Sequence, residues 1–230
     1  TGQNIRRVIN TEAAWAKGIK ATVYNCPEIR TNSSDIFVGV ELSLFPLLNA
    51  LSKENGGAWA KAQWDACRGL FQDGHSLEEL MQKITATVEK YLLAQVEAGA
   101  EAVQLFDSWA GALSPRDYRT LAAPWSARII KRLKKTGVPV IHFVYDGGGV
   151  LEQVRDTGAD VVGLDWRVDI DVARKRLGKK VAVQGNLDPC SLFLPERELR
   201  ARVREVLAAN ARLPGHIFNL GHGILPQCSV

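Results

Sequence analysis

The chain has 230 residues, 46% of them apolar, and a net charge of +4 from 29 basic and 25 acidic side chains. That length can bury one large core, and so mild and intermixed a positive excess suits an anionic ligand but gives no case for nucleic acid. No apolar run is long enough to span a bilayer and no signal peptide is visible. Cys26, Cys67, Cys190 and Cys228 are scattered without a Cys-x-x-Cys pair, which argues against a disulfide framework or a structural zinc site and fits a reducing compartment.

Residues 1–75 show no clear strand–helix rhythm; only Ile36 to Leu44 reads as a strand and Trp59 to Phe71 as a helix. From residue 76 the rhythm is regular. Ser76-Leu77-Glu78-Glu79 is a capping box and opens an amphipathic helix to about Glu97, with Gly99 as its stop. A strand follows around Val103. Ser114-Pro115 starts the next helix, Ser as the cap and Pro in the first turn, and that helix ends near Gly137. Val138 to Phe143 is a strand. Gly147-Gly148-Gly149 leads into a short helix ending at Gly158, and Asp160 to Leu164 is a strand. Asp169 caps a helix through Leu177, the Val181 strand comes next, and Pro195 to Glu198 opens the helix before the Ile217 strand. The basic clusters at Lys131–Lys135 and Arg174–Arg176 read as solvated helix C-termini favoured by the dipole.

Five strands alternating with helices at spacings of about 20–35 residues imply a parallel sheet, because crossovers are right-handed. A TIM barrel and a doubly wound open sheet both fit. The first strand lacks a Gly-x-Gly-x-x-Gly turn, which lowers the nucleotide-binding alternative. The expected organisation is a single domain: a divergent segment over 1–75 with partial barrel elements, then βα units of one α/β barrel over 76–230.

Three apolar runs end in polar or glycine-bounded residues. Val103-Gln104-Leu105-Phe106 runs into Asp107-Ser108-Trp109, Val183-Gln184 into Gly185-Asn186-Leu187-Asp188-Pro189, and Ile217-Phe218-Asn219-Leu220 into Gly221-His222-Gly223. The last run reads as a buried strand whose tip opens into a glycine-permitted turn. Side chains at the carboxyl ends of parallel strands point where such folds keep their chemistry, so the three tips suggest one face and favour the barrel. Each residue also has a plain structural reading. Ser108 serves equally as a turn cap, His222 as a satisfied turn histidine, Asp165 and Asp188 as rim carboxylates bonded to backbone amides, and Trp109 and Trp166 as packing residues.

The motifs Gln104–Gly111 with Leu113-Ser114-Pro115, Gly163-Leu164-Asp165-Trp166, Gln184–Pro189 and Asn219–Gly223 together resemble the uroporphyrinogen decarboxylase family, in order and spacing across roughly residues 76–226. The resemblance implies a (β/α)8 TIM barrel, here short at its N-terminal side and after the last active-site loop. It implies a homodimer that converts the four acetate side chains of uroporphyrinogen III to methyls, giving coproporphyrinogen III in haem biosynthesis. It implies no cofactor, no metal, no membrane or nucleic-acid partner, and a cytoplasmic location, with an organellar one left open because the chain begins at Thr1. The family's substrate-contacting serine and histidine fall on Ser108 and His222. Its essential aspartate falls on Asp35 in Ser34-Asp35-Ile36-Phe37. The family's Arg-Gln-Ala-Gly-Arg segment has no counterpart, and Leu51 stands where it has a tyrosine, before Glu54-Asn55-Gly56-Gly57. These departures predict weak turnover by the chain as given.

Two alternatives follow. A corrinoid-linked methyltransferase of the same superfamily would need a zinc-bound thiolate, but His142-Phe143-Val144 supplies no Cys at the required spacing. An inactive or fragmentary paralogue that only binds a porphyrinogen or a partner would explain Leu51 and the missing arginines.

Overall fold

The computed structural model describes residues 21–23, 37–41, 74–108, 110–210, 213–225 and 227–228. Asp35, Leu51, the Glu54–Gly57 turn, the Trp59–Phe71 helix, Cys26, Cys67 and Trp109 lie outside the described residues. Among the described residues, seven strands form one sheet in chain order: β1 (Ala21–Val23), β2 (Phe37–Glu41), β3 (Ala102–Phe106), β4 (Val140–Phe143), β5 (Val161–Gly163), β6 (Ala182–Leu187) and β7 (His216–Leu220). β1 runs antiparallel to β2, and every later neighbour pair is parallel. Among the described residues, five helices longer than one turn lie between the strands: α1 (Gly74–Glu97), α2 (Ala123–Leu133), α3 (Leu151–Asp156), α4 (Ile170–Leu177) and α5 (Glu196–Asn210).

α1 buries Met81, Thr85, Val88, Leu92 and Gln95, a stripe at alternating steps of four and three that keeps one face on the sheet. Val88 and Leu92 pack on Val103, Leu105 and Val140 of the sheet and on Ile129, Ile130 and Leu133 of α2. A second cluster joins Val162 and Val183 to Val150, Leu151 and Val154 around α3 and to Ile170, Ala173 and Leu177 of α4. Strand residues therefore alternate strictly: Val103, Leu105, Val140, Val162 and Val183 face helices, while Gln104, Phe106, Phe143 and Gln184 face the other way.

Gln184 Nε2 donates to Gln104 Oε1 at 3.0 Å although β4 and β5 separate their strands. Three inter-strand steps in a flat sheet would set β3 and β6 about 14 Å apart. The sheet must curl for these inward side chains to meet, as barrel closure requires. α/β organisation with a curled parallel sheet bears out the expected barrel class.

Several local expectations hold. Ser114 Oγ accepts from the Asp117 amide at 3.1 Å, with Pro115 in the first turn. The segment does not run as one helix: a wide π turn at Tyr118–Ala122 precedes α2 and seats Tyr118 fully buried. Gly137 ends the helical run in the left-handed region at φ 84°.

Three readings are corrected. Asp169 occupies the cap position of α4 without a side-chain cap bond. Arg174 is not solvated: it is 3% exposed, and its guanidinium donates to Asn210 Oδ1 and to the carbonyls of Val181, Pro214 and Gly215. Its burial tethers the amino ends of β6 and β7 to the end of α5. The β7 run is not buried either. It pairs only with β6 among the described residues, so Ile217 and Phe218 stay 43% and 40% exposed.

Candidate active site

Every described strand from β2 to β7 points the same way, so residues that follow them gather at one end of the sheet. Ser108 follows β3 and His222 follows β7, and both lie at this carboxyl end. Asp165 and Trp166 follow β5, Tyr145 and Asp146 follow β4, and Asp188 follows β6.

The β3 tip is fixed by Asp107. Its amide donates to the Phe143 carbonyl at 2.8 Å, and its carboxylate accepts from Ser126 Oγ at 3.1 Å. His142 Nε2 lies 3.6 Å from the same carboxylate, and His142 Nδ1 meets Thr157 Oγ1 at 3.0 Å. His142 is thus a core histidine locked between sheet and helices, 0% exposed. The Tyr118 hydroxyl is buried beside this group, and burial, with the Asp107 carboxylate, pushes its pKa strongly upward. Half-buried Ser108 projects from the tip so anchored.

The β5 tip is organised by Asp165, which is 3% exposed. It accepts from the amide of Asp146, from the amide of Arg167 at 2.9 Å, and from Arg167 Nη1 at 3.2 Å. Its reading as a rim carboxylate bonded to backbone amides matches this geometry. Asp188 does the same on a smaller scale, accepting from the Cys190 amide at 2.9 Å.

His222 sits among aromatic rings from β4 and from the tips of β4 and β5. Its ring centroid lies 4.8 Å from Tyr145, 6.4 Å from Trp166 and 6.5 Å from Phe143, and Phe143 in turn meets Phe106 at 5.7 Å. Phe106, Phe143 and His222 therefore connect the tip of β3 to the tip of β7 across the inner face, the second sign of a curled sheet. Burial against these rings lowers the His222 pKa; Asp165 opposes the shift and Arg167 adds to it. Near neutral pH the imidazole is uncharged and carries one N–H donor.

Glycine matters here for contact rather than for conformation. Gly221 and Gly223 do not have positive φ. A Cβ on Gly221 would meet the Trp166 backbone nitrogen at 2.5 Å and the Asp165 carbonyl carbon at 3.0 Å. Gly221 lets the β7 tip press onto the β5 tip, and its amide donates to the Leu187 carbonyl at 2.7 Å. Gly111 does the same for the β4 tip, since a Cβ there would run into the Tyr145 carbonyl.

The structure thus brings His222, Asp165 and Trp166 into one cluster and sets Ser108 at the same sheet end. Asp35 lies outside the described residues. Tyr145 and Arg167 belong to the cluster without having been singled out by the sequence. Arg167 Nη2 donates to the Tyr145 hydroxyl at 2.6 Å, and its guanidinium carbon stands 4.4 Å and 4.2 Å from the Tyr145 and Trp166 ring centroids. Their one sequence signal is position: each lies two residues past a strand or one past a motif residue at the same end.

Among curated proteins, the chain is 56% identical over 147 residues to the uroporphyrinogen decarboxylase of Pelobacter propionicus, covering 64% of this chain and 43% of that protein. It is 48% identical over 177 residues to the enzyme of the same name from Carboxydothermus hydrogenoformans, covering 77% and 50%. It is 51% identical over 179 residues to that of Myxococcus xanthus, covering 78% and 51%. The chain thus spans about half the length of these relatives. The model of the family described as uroporphyrinogen decarboxylase (URO-D) matches residues 56–230, which include every strand tip in the cluster, and the chain belongs to that family.

Proposed function

We propose that the carboxyl-end cluster binds uroporphyrinogen and removes carbon dioxide from its acetate side chains, the reaction that names the relatives. The observation that carries this reading is the seating of His222, a neutral imidazole held by Tyr145, Trp166 and Phe143 at the mouth of the inward-curled sheet. A tetrapyrrole whose rings are joined by methylene bridges and fringed with carboxylates needs such a surface: aromatic side chains for its pyrrole faces and hydrogen-bond donors for its edges.

The chemistry needs no external electron sink. Protonating a pyrrole ring makes the ring the sink, the C–CO2 bond breaks with its electron pair moving into the ring, and a proton on the exocyclic carbon completes the methyl group. Carbon dioxide leaves and the ring proton is returned. His222 and Ser108 donate hydrogen bonds to substrate carboxylates and fix which acetate lies at the reacting position. Asp35 is proposed as the carboxylate that stabilises the cationic ring. The homodimer and the cytoplasmic location that the resemblance implies belong to the same proposal; among the described residues no helix is long and apolar enough to cross a membrane.

The test is anaerobic incubation of the purified chain with uroporphyrinogen in chelator-treated buffer, the products separated by carboxylate number. Stepwise appearance of species with seven to four carboxylates, above the rate without protein, is expected. A chain that neither binds uroporphyrinogen nor forms any decarboxylated product would overturn the proposal and leave the non-enzymatic alternative.

A further inference from the structure

We infer that Arg167 is a substrate anchor of this site, gripping one of the four carboxylates that the reaction leaves in place; the inference rests on the proposed binding of uroporphyrinogen. Three observations carry it. The first is location: Arg167 lies at the β5 tip with a side chain 38% exposed, and its charge is felt by His222. The second is preorganisation. Its guanidinium rests against the rings of Tyr145 and Trp166 and is pinned by Asp165 and the Tyr145 hydroxyl. A flexible side chain with that many restraints loses little entropy on binding. The third is spare capacity. Of five N–H donors, two are engaged among the described residues, and Asp146, 62% exposed, approaches Nε only to 3.9 Å. Asp165 already accepts from two backbone amides besides Arg167, so its charge is partly spent on the loop.

A carboxylate ligand fits such a site because the guanidinium edge matches a carboxylate bidentately. The anchor belongs on a retained carboxylate for an energetic reason. The reacting acetate loses its charge as carbon dioxide departs, so a strong clamp on it would hold the ground state more than the transition state. A clamp on a carboxylate that persists orients the ring equally at the start and at the barrier.

The experiment measures binding of uroporphyrinogen and of coproporphyrinogen, anaerobically, by calorimetry on the unaltered chain, Arg167→Met and Arg167→Lys, with thermal unfolding recorded alongside. The expected result is that Arg167→Met weakens both ligands by a similar factor, about 10- to 100-fold, and that Arg167→Lys weakens them less. Unchanged affinity of Arg167→Met for both ligands would refute the anchor while leaving the site reading intact. Weakening confined to uroporphyrinogen would refute the retained-carboxylate assignment. An unaltered chain that binds neither ligand would remove the site reading and this inference with it. Should Arg167→Met fail to fold, Arg167→Gln beside Arg167→Lys gives the same comparison.

Discussion

Two arginines seven residues apart show how the two ends of the sheet differ. Arg174, at the amino end, is 3% exposed and donates four hydrogen bonds to neutral acceptors, on Asn210, Val181, Pro214 and Gly215. Burial lowers its pKa. Arg167, at the carboxyl end, is partly exposed, packed against two rings, and among the described residues keeps donors in reserve. One guanidinium is consumed by the fold and the other is held ready. The amino end holds the strands together and the carboxyl end stays open to a ligand, the division of labour expected of a βα barrel.

The comparison is broken most forcefully at Arg174. Arg174→Ala leaves an amide oxygen and three carbonyls without their donor in a buried setting and is expected to cost about 3–5 kcal/mol of stability. Chemical denaturation reads that loss; a cost under about 1 kcal/mol would mean that the amino end is not tied as described. Gly221→Ala separates the two ends next. Its Cβ has no room beside Trp166, so His222 must shift, with an expected cost of about 1–3 kcal/mol and a larger relative loss of uroporphyrinogen affinity than of stability. His222→Ala removes the ring contacts to Tyr145, Trp166 and Phe143 and should cost about 1 kcal/mol of stability near neutral pH, while weakening uroporphyrinogen binding about 10-fold or more, as calorimetry would show.

A pH titration sharpens the same contrast. His222 has a folded pKa below its ordinary value of about 6.5, so the unfolded chain takes up the proton first as pH falls. Its contribution to stability is therefore complete above about pH 6.5 and is lost as pH drops from there toward the folded value. His222→Ala should flatten the fall in thermal midpoint below that pH, and a variant with an unaltered pH profile would show that the ring is not desolvated. The smallest effect belongs to the surface. Arg128→Gln removes an exposed pair with Glu89 and should change stability by about 0.5 kcal/mol or less in denaturant titration.

The strands and helices after residue 76 were legible because each signal is local. Ser114-Pro115 opens a helical run and Gly137 ends it, although its break into a π turn before α2 was not legible, and short apolar runs mark the strands. What the sequence could not convey depends on neighbours. Ile217 and Phe218 have the composition of a buried strand, but burial needs a second neighbour that composition does not specify. Arg174 sits among Lys175 and Arg176 as if on a solvated turn; only the approach of Asn210 and Gly215, some 36 to 41 residues later, turns it inward. Ser108 and His222 came forward because motifs surround them. Tyr145 and Arg167 did not, since a loop residue has no period and its role comes from the ring or carboxylate the fold places beside it. The glycines beside His222 were noticed for a turn that does not need the left-handed backbone only glycine favours; Gly221 is needed because the Trp166 backbone lies against its Cα.

The central claim is that uroporphyrinogen rests against His222 at the carboxyl end. Nitrogen-15 spectra of the histidine rings, recorded anaerobically during a uroporphyrinogen titration, test it most directly. The His222 resonances should move with saturating ligand while those of His142, sealed against Asp107 and Thr157, stay fixed. Binding that leaves the His222 ring unperturbed would contradict the account.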